Sequence, residues 1–458
     1  VFMNEDILDQ TRQRLKLFYD SGKTKKWDYR LRQLRALEKA LMAGKDDLYA
    51  AIKSDLNKSK YEASMTELGL IFAELHETKK KLKRWMTPRR TGISLAQFPG
   101  KAMIYPEPYG VVLIMSPWNY PLMLTLSPLI GAIAAGNCAV VKPSAYTPET
   151  SRVLKELLEA ALPDTVAVVE GSREENKALL GMPFDYILFT GSGEVGKDVM
   201  RAAADHLTPV TLELGGKSPT IVDRSANIKK TARRILFGKL LNSGQTCIAP
   251  DYIWVHEKKK DQLVKALIRE VEKMLKGDFQ AQWSRIINEK HLARLHGYLE
   301  DQDILWQREV EEGKGHLSFT LVNEPDWESP LMKEEIFGPI LPILSYSNLD
   351  EVIEKQKTLP KPLALYVFSK SKKTQQRLLT ELSFGGGCIN DTVIHISSSH
   401  LPFGGVGASG MGRYHGKESF DTFTHYKGVL HKGWMLDYAM RYMPYKKPER
   451  ELWKRLLR

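Results

Sequence analysis

Tyr186-Ile187-Leu188-Phe189-Thr190-Gly191-Ser192-Gly193-Glu194-Val195-Gly196 reads as an apolar strand entering a G-x-G-x-x-G turn, and the stretch 197–206 behind it has a helical pattern. The glycines permit a tight turn and close backbone approach, while free N–H groups at the start of the helix favour a phosphate. A lone turn of this kind also occurs in ordinary strand-to-helix connections, so its surroundings decide. Apolar runs precede it at 111–115, 139–141 and 166–169, and segments with cap-like starts, such as 147–161, lie between them. Four strand–helix units in a row predict an α/β fold with a parallel, Rossmann-like sheet.

Working outward, residues 4–84 recur in a helical period, with Leu31, Leu34, Leu37 and Leu41 on one face, and predict an N-terminal helical layer. Beyond Gly215 a second series of apolar runs, at 252–255, 340–344, 363–368 and 388–390, predicts a second α/β domain. The most apolar stretch, 120–141, is broken by Pro121, Pro128 and Asn137 and reads as a buried helix feeding a buried strand rather than a membrane span.

At 458 residues the chain exceeds what one hydrophobic core normally fills. Cys138, Cys247 and Cys388 are odd in number and widely spaced, which argues against a disulfide framework or a metal cluster and favours a reducing, cytoplasmic setting. No signal-like sequence opens the chain. Lys and Arg number 67 against 55 Asp and Glu, a net charge of +12, but the basic clusters at 79–90 and 446–458 lack the interleaved aromatics and glycines of a nucleic-acid module. No nucleic-acid partner is expected. Leu452, Trp453, Leu456 and Leu457 within the basic tail leave weak membrane-surface contact as a minor expectation.

A dinucleotide fingerprint also wants an acidic residue about 20 positions past the turn, where it would hold a ribose. Glu213 stands there, yet three strand candidates precede the turn, whereas the fingerprint belongs to the first strand-to-helix connection. Glu213 therefore needs another reading beside that of a ribose ligand, such as an exposed strand-end carboxylate.

Glu213-Leu214-Gly215-Gly216-Lys217-Ser218-Pro219 and Asn242-Ser243-Gly244-Gln245-Thr246-Cys247 resemble the two signature motifs of the aldehyde dehydrogenase superfamily. Pro117-Trp118-Asn119-Tyr120-Pro121, Lys142-Pro143-Ser144, Glu334-Glu335-Ile336-Phe337-Gly338-Pro339 and Pro402-Phe403-Gly404-Gly405-Val406-Gly407 follow in family order. The resemblance spans residues 27–445 and is strongest to the class 3, fatty-aldehyde and aromatic-aldehyde branch.

The resemblance implies that Cys247 is a nucleophile, that the Asn119 amide and the Cys247 backbone N–H stabilise an oxyanion, and that Glu213 activates water. It implies NAD or NADP bound by Lys142, Ser144, Gly191, Ser192, Gly193, Gly196, Glu335 and Phe337. Trp118 and Tyr120 would line a tunnel for medium- or long-chain aliphatic or aromatic aldehydes, which leave as carboxylic acids. Without it, Cys247 reads as a buried thiol, Asn119, Glu335 and Phe337 as turn residues, and Lys142 as a solvated lysine.

It further implies a homodimer, and the expected division is a cofactor domain over 1–211 interrupted by an oligomerisation segment at 83–103, a catalytic domain over 212–410, a second oligomerisation segment over 411–445 and a basic tail over 446–458. Two positions and one region depart from the pattern. Ala145 stands where many NAD-preferring members carry glutamate, so NADP tolerance is expected. Gly193 replaces a threonine, and residues 302–323 lack the family's Gly-rich and Pro-Thr elements. Acyl transfer to coenzyme A and a non-catalytic binding role are the rival readings; Glu213 argues against the first, and Cys247, Glu213 and Asn119 together against the second.

Overall fold

The apolar runs become strands buried on both faces, as a parallel sheet covered by helices requires. Val111–Met115, Cys138–Lys142 and Tyr186–Thr190 are buried at every position. The computed structural model describes residues 5–94, 97–311, 314–437 and 441–444, so the basic tail lies outside the described residues.

Six described strands form the first sheet, in the order Gly410–Met411, Val210–Glu213, Tyr186–Thr190, Val111–Met115, Cys138–Lys142, Val166–Val168. All neighbours are parallel except the antiparallel edge pair Gly410–Met411 with Val210–Glu213. Tyr186–Thr190 is thus not the sheet's first strand, in keeping with the three strand candidates that precede it in the sequence. The expected division at 211/212 falls inside Val210–Glu213, whose Leu212 and Glu213 pair with Met411 and Gly410, so this sheet draws on residues from both sides of it.

A second sheet runs Ile304–Gln307, Thr320–Asn323, Ile340–Tyr346, Tyr252–His256, Pro219–Val222, Ala364–Phe368, Gly386–Ile389. Only the first pair of these described strands is antiparallel, so Ile304–Gln307, from the region departing most from the family pattern, is an edge strand. Residues near the expected oligomerisation segments build a three-stranded antiparallel sheet from Arg89–Thr91, Gly100–Pro108 and Thr424–Lys432.

The N-terminal layer is helical as expected: Glu5–Asp20, Trp27–Ala43, Lys45–Leu56, Lys60–Ala63 and Gly69–Met86, the last two joined by a π-turn over Ser64–Leu68. Helix Met123–Ala135 is buried along its whole length and ends at Gly136, whose φ of +95° is the left-handed cap that turns the chain into Cys138–Lys142. Among the described residues no helix is long and apolar enough to cross a membrane.

Candidate active site

The adjacent strands Val210–Glu213, Tyr186–Thr190, Val111–Met115 and Cys138–Lys142 all deliver a site residue at their carboxyl ends. Met115 is level with Lys142 and Phe189, and Thr190 with Glu213, so Glu213, Gly191, the 117–119 segment and Lys142 emerge along one edge. Open parallel sheets bind ligands at that edge. Facing it are the approaches to two parallel neighbours of the second sheet: Cys247 precedes Tyr252–His256, and Glu335 and Phe337 precede Ile340–Tyr346.

Between the two sheets lies a cavity of about 1580 Å³. Trp118, Asn119, Lys142, Ser144, Gly191, Ser192, Glu213, Cys247, Glu335 and Phe337 all line it. Residues far apart in the chain, such as Asn119, Cys247 and Phe337, therefore share one volume.

Three expected residues lie elsewhere. Gly196 packs its helix against Leu214, just past strand Val210–Glu213, since a β-carbon there would sit 2.7 Å from Leu214 Cδ2. Gly193 is the first residue of helix Gly193–His206, with open space where its side chain would be. Neither lines the cavity. Tyr120, expected on the tunnel wall, is buried instead; its hydroxyl lies 2.8 Å from Thr246 Oγ1 and the Lys58 ammonium lies 4.0 Å from its ring centre.

Burial removes several of the ordinary readings. Lys142 is 3% exposed and donates to the carbonyls of Pro143 and Gly171 at 2.9 and 2.8 Å, so it is not a solvated lysine. Its ammonium is brought down to about 8 by burial, against the opposing pull of Glu175 and Glu170. Glu213 ends its strand but is 2% exposed, and neither carboxylate oxygen has a hydrogen-bond partner in the protein. Burial alone holds its carboxyl well above the usual range. Such a group in a cavity is suited to proton transfer with a small partner.

The Cys247 thiol is pushed up by burial, then by the charges of Glu335 and Glu213. The turn before it is strained: Asn242, Ser243 and Gly244 have φ of +50°, +53° and +74°. Asn119 is 3% exposed and its Nδ2 donates to Gln245 O at 3.1 Å, which ties the two loops together.

Glu335 is half-buried and its carboxyl is pushed up to about 8, first by burial and then by the charge of Asp251. Gly215 leaves room for it, because a β-carbon there would displace the Glu335 carboxylate. Phe337 holds a left-handed φ of +51° and sets its ring edge-on to Trp118 at 5.5 Å between centres.

The 334–337 loop has supports that the sequence reading did not identify. Lys217 Nζ reaches Asp251 Oδ1 at 2.5 Å and the carbonyls of Leu331 and Glu334 at 2.8 Å, and Asp251 Oδ2 accepts from Ile336 N. Arg294 donates to the carbonyls of Glu335 and Ile336. Lys217 lies inside a motif that sequence reading had marked. Asp251 and Arg294 carry no local signal, because charged residues near a loop or on a helix read as solvated.

Residues 11–429 match the aldehyde dehydrogenase family. The chain is 47% identical to 4,4'-diaponeurosporen-aldehyde dehydrogenase of Staphylococcus aureus, over 96% of this chain and 97% of that protein. It is 45% identical to aldehyde dehydrogenase family 3 member A2 of Rattus norvegicus, over 92% and 88%. Among solved structures, the substrate-bound state of a Staphylococcus aureus aldehyde dehydrogenase aligns with a TM-score of 0.94 at 46% identity, covering 99% of this chain and 98% of that one. The NAD+ complex of an aldehyde dehydrogenase from Bacillus cereus aligns at 0.83 and 26%, covering 93% and 89%.

Proposed function

Because this chain belongs to the aldehyde dehydrogenase family, we propose that it oxidises medium- or long-chain aliphatic or aromatic aldehydes to carboxylic acids through a thioester on Cys247. The observation that carries the proposal is the convergence of Cys247, Asn119 and Glu213 on one cavity that Lys142 and the glycine turn also line.

The donor set suits a nicotinamide dinucleotide. The N-terminus of helix Gly193–His206 opens on the cavity through Ser192 and fits a pyrophosphate. Lys142 and Ser144 would hold the adenosine ribose, and Glu335, whose charge acts on Cys247, would hold the nicotinamide side together with Phe337. NAD or NADP, when bound, supplies the hydride acceptor. Ala145 puts no carboxylate at the ribose end, which supports tolerance of NADP.

In the proposed reaction the Cys247 thiolate adds to the aldehyde carbon and the carbonyl oxygen takes the negative charge. Asn119 uses one N–H on Gln245 O, which leaves its second for that oxygen, beside the Cys247 backbone N–H. A donor in this role is worth about 10²–10³ in turnover. Collapse of the adduct expels hydride from the former aldehyde carbon and leaves the thioester. Glu213 as carboxylate then takes a proton from water, whose oxygen attacks the thioester carbon and displaces the Cys247 thiolate with release of the acid. The aromatic walls at Trp118 and Phe337 support an apolar substrate, three free cysteines support a reducing cytoplasmic setting, and the three-stranded sheet supports a homodimer.

Stopped-flow absorbance of reduced cofactor tests the reading with a medium-chain aldehyde and no coenzyme A. Cys247→Ala is expected to abolish the signal, and Glu213→Gln to keep the first burst while steady turnover falls about 10²–10⁴-fold. Loss of both phases in Glu213→Gln would instead point to a role before hydrolysis, and wild-type turnover that requires coenzyme A would establish acyl transfer.

A further inference from the structure

Behind the site, the N-terminal layer sends charge into a fully buried place. Lys58 follows helix Lys45–Leu56, and Glu67 is carried inward by the π-turn Ser64–Leu68; both side chains are fully buried and pair at 2.7 Å. Buried charges persist only where every remaining donor and acceptor is used. Here they are used on the segment that carries Asn119. Lys58 Nζ donates to Asn119 O at 3.1 Å and lies over the Tyr120 ring at 4.0 Å. Glu67 Oε2 accepts from Leu122 N at 2.8 Å and Met123 N at 3.3 Å.

The same grip extends to the cysteine loop. Asn242 Nδ2 donates to Asn119 O at 2.8 Å, and Glu62 Oε1 accepts from Asn242 N at 2.7 Å, holding the left-handed turn that precedes Cys247. Glu62 lies near Lys58, whose charge offsets part of the burial that raises its carboxyl. Tyr120, in turn, meets Thr246.

We propose that Lys58 and Glu67 are positioning residues for the aldehyde reaction: their buried ion pair fixes the backbone of residues 119–123 so that the Asn119 amide is aimed at the oxyanion on the Cys247 adduct. The inference rests on the oxyanion role proposed for Asn119. Neither residue lines the cavity, so both act through the loop rather than on substrate or cofactor. A loop followed by a buried helix has few backbone bonds of its own between 116 and 122, and a fixed external charge replaces them at the peptide whose side chain must not drift.

The test is a cycle of full-length variants: Asn119→Ala, the paired change Lys58→Met with Glu67→Leu, and all three together. The paired change removes both charges and leaves neither uncompensated. Steady-state kcat, KM for aldehyde and the NAD dissociation constant by fluorescence titration are measured for each.

Asn119→Ala is expected to lose about 10²–10³ in kcat. The paired change is expected to lose at least about tenfold, with NAD binding within about twofold of the parent, and to cost nothing further in the Asn119→Ala background. Losses that multiply in the triple variant, or a paired variant within about twofold of the parent in kcat, would overturn the inference. Glu67→Gln, of the same shape, is run through the same cycle and decides the matter if the paired variant does not fold. Full activity in Asn119→Ala alone would instead remove the oxyanion reading.

Discussion

Replacing Glu335 by glutamine is expected to stabilise the protein at alkaline pH while weakening cofactor binding. The Glu335 carboxyl rises from 4.5 to about 8 because it is taken out of water and faces Asp251; the Gly216 N–H, Lys217 and Arg294 only partly offset this. Below pH 4.5 both folded and unfolded chains hold the proton and the residue contributes nothing. Between 4.5 and 8 the unfolded chain releases it while the folded chain keeps it, so stability falls as pH rises, and the loss is complete above 8. At about 1.4 kcal/mol per pH unit this amounts to about 5 kcal/mol. Solvent reaching the cavity reduces it to roughly 2–3 kcal/mol.

Glutamine keeps the shape without the charge, so the difference in unfolding free energy between Glu335→Gln and the parent is expected to grow by that amount from pH 5 to pH 9. Urea denaturation followed by tryptophan fluorescence at the two pH values measures it. Parallel pH dependence in the two proteins would show that Glu335 titrates as an ordinary surface carboxylate, and the account of its environment would fall. The accompanying rise in the NAD dissociation constant would mark a site that gives up stability for function.

Gly244→Ala combines a φ of +74° with a β-carbon overlapping Gly338 O, and is expected to cost at least about 2 kcal/mol in urea unfolding; a neutral result would mean the loop before Cys247 adjusts freely. Alkylation of Cys247 by iodoacetamide, read by mass spectrometry, should accelerate with pH across the alkaline range, because burial and the Glu335 and Glu213 charges hold the thiol up; Glu213→Gln should move that profile to lower pH, and an unmoved profile would refute the charge contribution. Ala145→Glu places a carboxylate at the cavity wall beside Ser144 and should weaken NADP relative to NAD by at least about tenfold in equilibrium titration, where an unchanged ratio would place the 2′-phosphate elsewhere.

The strands and most of the site were legible because their signals are local. Val111–Met115 and Tyr186–Thr190 are buried on both faces and so read as unbroken apolar runs, and the Gly191 turn and the Cys247 and Glu213 motifs carry their chemistry in adjacent residues. Tyr120 and Gly196 were misplaced for the complementary reason. A motif fixes which residues are neighbours in sequence, but whether a side chain meets the cavity or the core behind it depends on a loop's path and on what packs against it. Lys58, Glu67, Asp251 and Arg294 escaped sequence reading altogether, since a charged residue in a helical or loop segment carries the same letters whether solvated or buried.

By itself, the sequence determined the α/β class, the succession of strands and helices, and the motifs that single out Cys247, Glu213 and Asn119 as the proposed nucleophile and its companions. Only the tertiary structure decided that the Glu213 carboxyl is buried at the cavity wall without a hydrogen-bond partner in the protein, that Lys142 donates to two carbonyls, and that an ion pair in the N-terminal layer reaches the carbonyl of Asn119. Local periodicity and turn chemistry act within a few residues. Desolvation and charge pairing depend on atoms that separate elements bring together, as when Lys58 reaches Asn119 across 61 positions, and that approach is set by the fold as a whole.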